Sequence, residues 1–189
     1  MTTWVIRAGR HGEREQWCLT DGAAGGGWDE VGDLSGCKTR EDVRALVDAT
    51  YPAESVGKLA NWTGQLWGLL NVQPGDTVIL PLKSTKTLAI GECTGTYTYR
   101  PGSPLRHCVS VDWKRDDVPR SAIKDDLIYT LGAIMTIFKA SRNEADRRFK
   151  EVLATGVDPG SLGLPATTTT TSPADAGDDA TVTDPVVVP

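Results

Sequence analysis

Between residues 55 and 70 the apolar positions recur at helical spacing. Val56, Leu59, Ala60, Thr63, Leu66, Trp67 and Leu70 share one stripe, which predicts a core-facing helix. The other side of that helix carries Gly57, Asn61, Gly64, Gln65 and Gly68, with Trp62 on the flank between the two. Each glycine costs about 1 kcal/mol relative to alanine inside a helix. Three of them beside two amides predict either close packing against another backbone or room left for a ligand. Pro74-Gly75-Asp76 then turns the chain into a buried strand at 77–82, where Pro81 marks an edge or a bulge. Residues 83–86 turn again, and 87–95 return as a second strand.

The flanking segments follow the same logic. Residues 4–8 read as a first strand ended by a turn at 9–12, and 13–19 as a short helix. Residues 22–28 (GAAGGGW) hold too much glycine for a helix and predict a strand or loop whose backbone approaches something closely. Trp28 at its end is either a core plug or a ring presented at a pocket wall. Residues 29–36 form a loop. Thr39, with Glu41 and Asp42 behind it, caps a helix whose apolar face is Val43, Leu46 and Val47 and which Tyr51-Pro52 stops. Residues 95–104 run from a strand end into a turn, with Tyr97 and Tyr99 on one side. Val109, Val111 and Trp113 alternate with Ser110 and Asp112, the clearest period-two signal in the chain. Ser121 is the predicted cap of a helix carrying Ile123, Leu127, Ile128 and Leu131, ended by Gly132. Residues 133–138 give the last strand. Ser141 and Glu144 form a capping box for a final helix that turns Ala145, Phe149, Val152 and Leu153 inward. Five or six strands with helices at the margins predict an α+β fold, a small mixed β-barrel.

Composition divides the chain. Its 189 residues suffice for one domain with a sizeable core. Residues 1–154 are the expected domain. Residues 155–189, with a run of five threonines among Pro, Ala, Asp and Val and no aromatic residue, read as a disordered linker or tail. That linker predicts either a terminal tail or, the favoured reading, a piece cut from a longer protein. The formal net charge of −5 belongs to this tail, because all 20 Lys and Arg lie at or before Lys150 and 20 of the acids at or before Glu151. Neutrality of the domain leaves nucleic acid open, since a binder's footprint is local. Arg100, Arg106, Lys114, Arg115 and Arg120 lie among Asp112, Asp116 and Asp117, a cluster that taken alone reads as a solvated mixed face.

Cys18, Cys37, Cys93 and Cys108 form no C-x-x-C pair, and His11 and His107 are too few for a zinc pattern, so reduced thiols and neither metal nor cofactor are expected. No apolar leader and no long apolar run is present, which excludes a membrane partner at this level and gives the cytoplasm by default. The chain is not expected to be an enzyme. It has no acidic pair followed by E-x-K, no H-x-E with C-x-x-C, no G-x-S-x-G and no Walker loop. Asp125-Asp126 reads as a solvated helix face.

Several stretches in order carry a resemblance: Gly27-Trp28, GDLSG at 32–36, NWTGQLW at 61–67, PGDTVILPLK at 74–83, AIGECTGTYTYR at 89–100 and VPRSAIKDDLIYTLGA at 118–133. Together they resemble the N-terminal module of Mrr-type restriction endonucleases, which is similar to the EVE and YTH domains of the PUA superfamily. The resemblance covers roughly residues 4–153. It implies a PUA/EVE-like barrel that senses modified bases in double-stranded DNA, 5-methylcytosine or another modified cytosine being the expected mark. The base would be flipped into an aromatic pocket, and the module would give specificity to a type IV, modification-dependent restriction system in phage defence. Cleavage would belong to a separate nuclease domain following the linker.

The resemblance implies Trp28 and Trp62 as pocket walls, Asn61 and Gln65 as hydrogen-bonding amides, and Leu82, Lys83 and Ser84 at the base pocket. Asp33 and Ser35 would line its opening. Tyr97 and Arg100, with Arg106 and Arg120, would meet the nucleic-acid backbone. Trp67 reads as structural because it falls in the core stripe. The alternative is an RNA-binding PUA-like module with no part in restriction.

Overall fold

The computed structural model describes residues 1–162; the Thr-rich stretch expected to be a linker lies beyond them. In chain order the elements are β1 (Thr3–Ile6), α1 (Glu15–Asp21), β2 (Ala23–Gly26), α2 (Arg40–Thr50), α3 (Val56–Leu70), β3 (Thr77–Pro81), β4 (Thr87–Cys93), β5 (Thr98–Tyr99), β6 (His107–Pro119), a 3-10 turn (Arg120–Ala122), α4 (Asp125–Thr130), β7 (Ile137–Lys139) and α5 (Ala145–Thr155). The strands form one sheet in the order β2-β6-β4-β3-β1-β7, with β5 added to β6. It curls into a nearly closed barrel flanked by helices, the α+β architecture expected from the strand count. β1 and β3 pair in parallel and all other pairs are antiparallel.

Strand alternation sorts the core. Trp4, Ile6 and Val78 face a cluster under α2 and α3 that includes Leu34, Val47 and Leu66. Val5, Ile79, Leu88 and Ile90 face a second, with Leu127, Phe149 and Val152 from α4 and α5. Pro81 is tolerated within the sheet because β1 pairs with β3 only as far as Ile79, so no ladder bond is lost.

The two ends of the strand path meet at a seam between β2 and β7. The Trp28 ring lies on Gly26, where an added Cβ would come within 2.3 Å of the ring and 3.2 Å of Ile137 Cδ1. Trp28 is 3 % exposed and adopts φ +58°, so of its two readings the plug is the one observed. The glycine run has a steric reason as well, since a Cβ on Gly25 would sit 2.1 Å from the His107 carbonyl oxygen.

Three expectations near the C-terminus are corrected. Ser121 lies in the 3-10 turn and does not cap α4, whose N-cap residue is Lys124. The Ser141–Glu144 box does not form. Glu144 sits at φ +55° and its carboxylate accepts instead from Arg147 Nε, Ser161 Oγ and Leu162 N. The last strand shortens to Ile137–Lys139 because residues 132–135 loop outward.

The fold also continues past residue 154. Arg148 is fully buried between two carboxylates, donating to Asp158 from Nε at 2.8 Å and from Nη2 at 2.5 Å, and to Asp126 at 2.6 and 2.9 Å. Asp126 is thus an ion-pair partner of Arg148 as well as part of the solvated face of α4, its side chain being 44 % exposed. Burial alone would raise the Asp158 carboxyl, but Arg148 and the Lys124 and Gly160 N–H groups hold it below the usual range. Shortening the chain to end at residue 154 removes Asp158 and leaves the buried guanidinium half-paired. We expect a loss of about 3–5 kcal/mol in chemical denaturation relative to a chain ending at residue 162. Equal stability of the two would show that Asp158 holds nothing.

Candidate ligand groove between α3 and β7

Helix α3 begins at Ser55, whose Oγ accepts from Lys58 N at 3.4 Å. Its buried arc is Leu59, Trp62, Thr63, Gln65, Leu66 and Leu69, rotated from the predicted stripe so that Val56 is 73 % exposed. The two tryptophans exchange their expected places. Trp62, expected as a pocket wall, is core: it meets Tyr51 edge-on at 4.9 Å between centroids and carries the Lys58 ammonium 4.7 Å above its ring. Trp67, five residues on and so about 140° round the helix, is only half-buried.

Trp67 lines an open groove of about 550 Å³ between the glycine face of α3 and the strand β7. The glycine face meets side chains and not another backbone: Gly68 admits the Trp4 ring, which would lie 3.2 Å from an added Cβ, and a Cβ on Gly64 would lie 3.4 Å from Arg40 Nη2. Gln65 builds the groove rather than filling it. Its Oε1 accepts from Thr136 N at 2.8 Å and Ile137 N at 3.0 Å, and its Nε2 donates to Asn61 Oδ1 at 2.5 Å. A carbonyl oxygen shared by two main-chain N–H groups has no lone pair free for a ligand. Asn61 is exposed and keeps its amide nitrogen as a donor. Arg40 and Lys139 stand at the groove, and among the described residues no carboxylate lines it. A half-buried indole, apolar surface from Met135 and Ile137, an amide donor and two cations suit a flat ring joined to an anion.

Of the expected site residues, only Asn61 and Gln65 lie at this groove. Leu82 is buried with Cys18, Leu80 and Leu105. Lys83 and Ser84 are held by the buried Glu15, which accepts from Lys83 N at 2.6 Å and from Ser84 Oγ at 2.6 Å. Asp33 and Ser35 pair with each other, Ser35 N and Oγ both donating to Asp33 Oδ1. Arg100 binds Asp21 and Ser110, Arg106 donates to the Asp29 carbonyl, and Arg120 is exposed. The groove residues the sequence reading omitted are Arg40, Trp67, Met135 and Lys139. The unusual glycine face of α3 was the one signal pointing there.

Tyr97 belongs to a buried chain of hydrogen bonds. His107 Nε2 lies 3.3 and 3.2 Å from the carbonyls of Trp28 and Val31, which can only accept, so Nε2 carries the proton. Nδ1 therefore accepts from the Tyr97 hydroxyl at 2.8 Å, and that oxygen accepts from Leu34 N at 3.2 Å. Burial lowers the His107 pKa. All four cysteines are free, and burial pushes the Cys18 thiol up to about 12. Among the described residues no three His, Cys, Asp or Glu side chains gather as a metal site, and no helix is long and apolar enough to cross a membrane.

Fold and groove define a mixed α+β barrel with a cationic, tryptophan-lined cleft on one helix. Residues 4–137 match the family described as a domain of unknown function, DUF8426, and the chain belongs to that family. No curated protein and no solved structure matches it.

The histidine gives a pH prediction. Its folded pKa is depressed, so the unfolded chain binds the extra proton first. The stabilisation is complete above the unfolded value of about 6.5 and is lost as pH falls from there towards the folded value. Melting temperature should fall between pH 7 and 5, above the range where carboxylates titrate. Tyr97→Phe should cost about 1 kcal/mol at pH 7 through the lost hydroxyl bond and keep most of this slope, because burial is the main cause of the lowered pKa. A wild-type profile that is already flat would contradict the lowered His107 pKa.

Proposed function

We propose that the protein is a nucleic-acid-binding module that holds one unstacked base in the α3–β7 groove. Its ligand on this reading is double-stranded DNA carrying 5-methylcytosine or another modified cytosine. It serves as the specificity half of a modification-dependent restriction system whose nuclease domain is separate. The order of motifs from Gly27 to Ala133 supports the class of function. The observation that carries the site is the half-buried Trp67 in a groove with two cations and, among the described residues, no acid.

The energetics are compatible. Taking a base out of the duplex costs a few kcal/mol, and stacking on an aromatic ring returns about 1–3 kcal/mol. A slot with apolar surface beside the ring lets one extra methyl group decide the balance, since a buried methylene contributes about 0.8 kcal/mol. Asn61 supplies a donor to the base edge, and Arg40 and Lys139 meet flanking phosphates.

The test is a titration at fixed salt with matched duplexes carrying cytosine, 5-methylcytosine, 5-hydroxymethylcytosine or N6-methyladenine at one position, and with the corresponding RNA. The expected result is a preference of about tenfold, or 1.4 kcal/mol, for one modified cytosine. Trp67→Ala should abolish that preference and lower the melting temperature less than truncation of either buried tryptophan, since its half-buried ring packs only in part on the core. Trp28→Ala and Trp62→Ala should instead lose about 3–5 kcal/mol of stability, as buried aromatic truncations do. Equal binding to every duplex, or tighter binding to RNA, overturns the reading.

A further inference from the structure

The loop between α4 and β7 presents apolar side chains to water on a fixed frame. Residues 132–135 read Gly-Ala-Ile-Met, with Ile134 60 % and Met135 36 % exposed. Such side chains in a mobile loop would need no explanation. Here both ends of the loop are clamped from inside. The Arg7 guanidinium donates to Leu131 O at 2.9 Å and to Met135 O at 3.1 Å, and Arg7 N donates to Thr136 O at 2.9 Å. The same guanidinium stacks 5.8 Å above the Phe138 ring, and Gln65 takes the Thr136 and Ile137 N–H groups. Two internal polar side chains thus hold an apolar tip out in solvent.

The position of the tip says what it meets. Met135 is at once the last residue of the loop and part of the groove, beside Lys139. Lys139, exposed, and Arg40 put two cations in the groove that Met135 lines. An apolar wedge flanked by cations matches the stacked interior and charged backbone of a duplex, and proteins that unstack base steps insert Ile, Leu, Met or Phe in this way.

We propose that Ile134 is a wedge, entering the base stack and occupying the gap left when the neighbouring base moves into the groove. This rests on the groove reading above. It assigns to the loop the selection of duplex over single strand, a task distinct from holding the base. A single strand has no stack to open, so the wedge contributes nothing to binding it.

The experiment measures dissociation constants of the full chain for one modified-base duplex and for its modified strand alone, with Ile134→Ser, Ile134→Leu and Trp67→Ala compared with wild type. Ile134 is exposed, so these substitutions leave the core intact, and melting curves check this. Ile134→Ser should weaken duplex binding about tenfold while single-strand binding stays within about twofold, and Ile134→Leu should restore the duplex affinity. Unchanged duplex binding by Ile134→Ser, or equal loss on both ligands, overturns the wedge. The groove reading fails separately, if Trp67→Ala leaves single-strand binding unaltered. Wild type binding neither ligand overturns both and leaves the apolar tip to a protein partner.

Discussion

Two main-chain N–H groups, those of Thr136 and Ile137, converge on a single buried oxygen, Gln65 Oε1. This contact joins the middle of α3 to the start of β7, and most of the site depends on it. β7 has three residues and among the described residues pairs only with β1, so no described strand holds its outer side. Without the amide, two partly buried donors would lose their acceptor, at about 1–3 kcal/mol each. The separation of the groove walls would then be free to change. Gln65 also fixes Asn61 through its own amide nitrogen, so one side chain sets the position of both the wall and the ligand-facing donor.

The barrel seam is tied to the same place. Ile137 follows the clamped peptide and its Cδ1 reaches towards Gly26 and the Trp28 ring, where the ends of the sheet meet. Trp28 is held in turn through its carbonyl by His107, and the loop behind it through Val31 and, by way of Tyr97, Leu34. A non-glycine residue at φ +58° is sparsely populated and persists where its surroundings over-determine it. Here a steric slot on Gly26 and a carbonyl bound to a buried imidazole supply that constraint. Closing the barrel and forming one wall of the groove are consequences of one packing arrangement.

How much of this was legible in the sequence follows from which signals are local. The Thr39 cap and the strand alternation at 109–113 depend on neighbours a few residues away, and both were read correctly, whereas the Ser55 cap was not singled out. The glycine-and-amide side of α3 was legible as a place for close approach or a ligand; it lines an open groove, and what comes close to it are the side chains of Trp4 and Arg40. The exchange of Trp62 and Trp67 was not, because α3 is apolar over most of its circumference and periodicity cannot choose among several apolar arcs. Gln65 was assigned to a ligand since nothing in sequence reveals two N–H donors 71 and 72 residues away. For the same reason Arg148 was missed altogether. A buried cation becomes readable only once Asp126 and Asp158, on different segments, are known to flank it.

The charge of the folded part gains its meaning from the same distinction. Counted over residues 1–162 it has 20 Lys and Arg against 21 acids and is close to neutral, yet many acids act as internal acceptors. Asp76 takes Thr2 N, Gln73 N and the Trp4 indole; Asp146 takes Thr3 N; Glu15 holds Lys83 and Ser84; Asp158 lies against Arg148. Arg100, Arg106 and Arg115 are likewise engaged with Asp21 or with backbone carbonyls. The groove keeps Arg40 and Lys139, and among the described residues no acid lines it. Exposed charges more than about 8–10 Å apart are largely screened at physiological salt, so a ligand there meets those two cations and not the neutral sum. Two cations also limit what charge alone contributes. On the proposed reading, phosphate neutralisation gives only a shallow salt dependence, and discrimination rests on the Trp67 ring and on the cost of opening the stack.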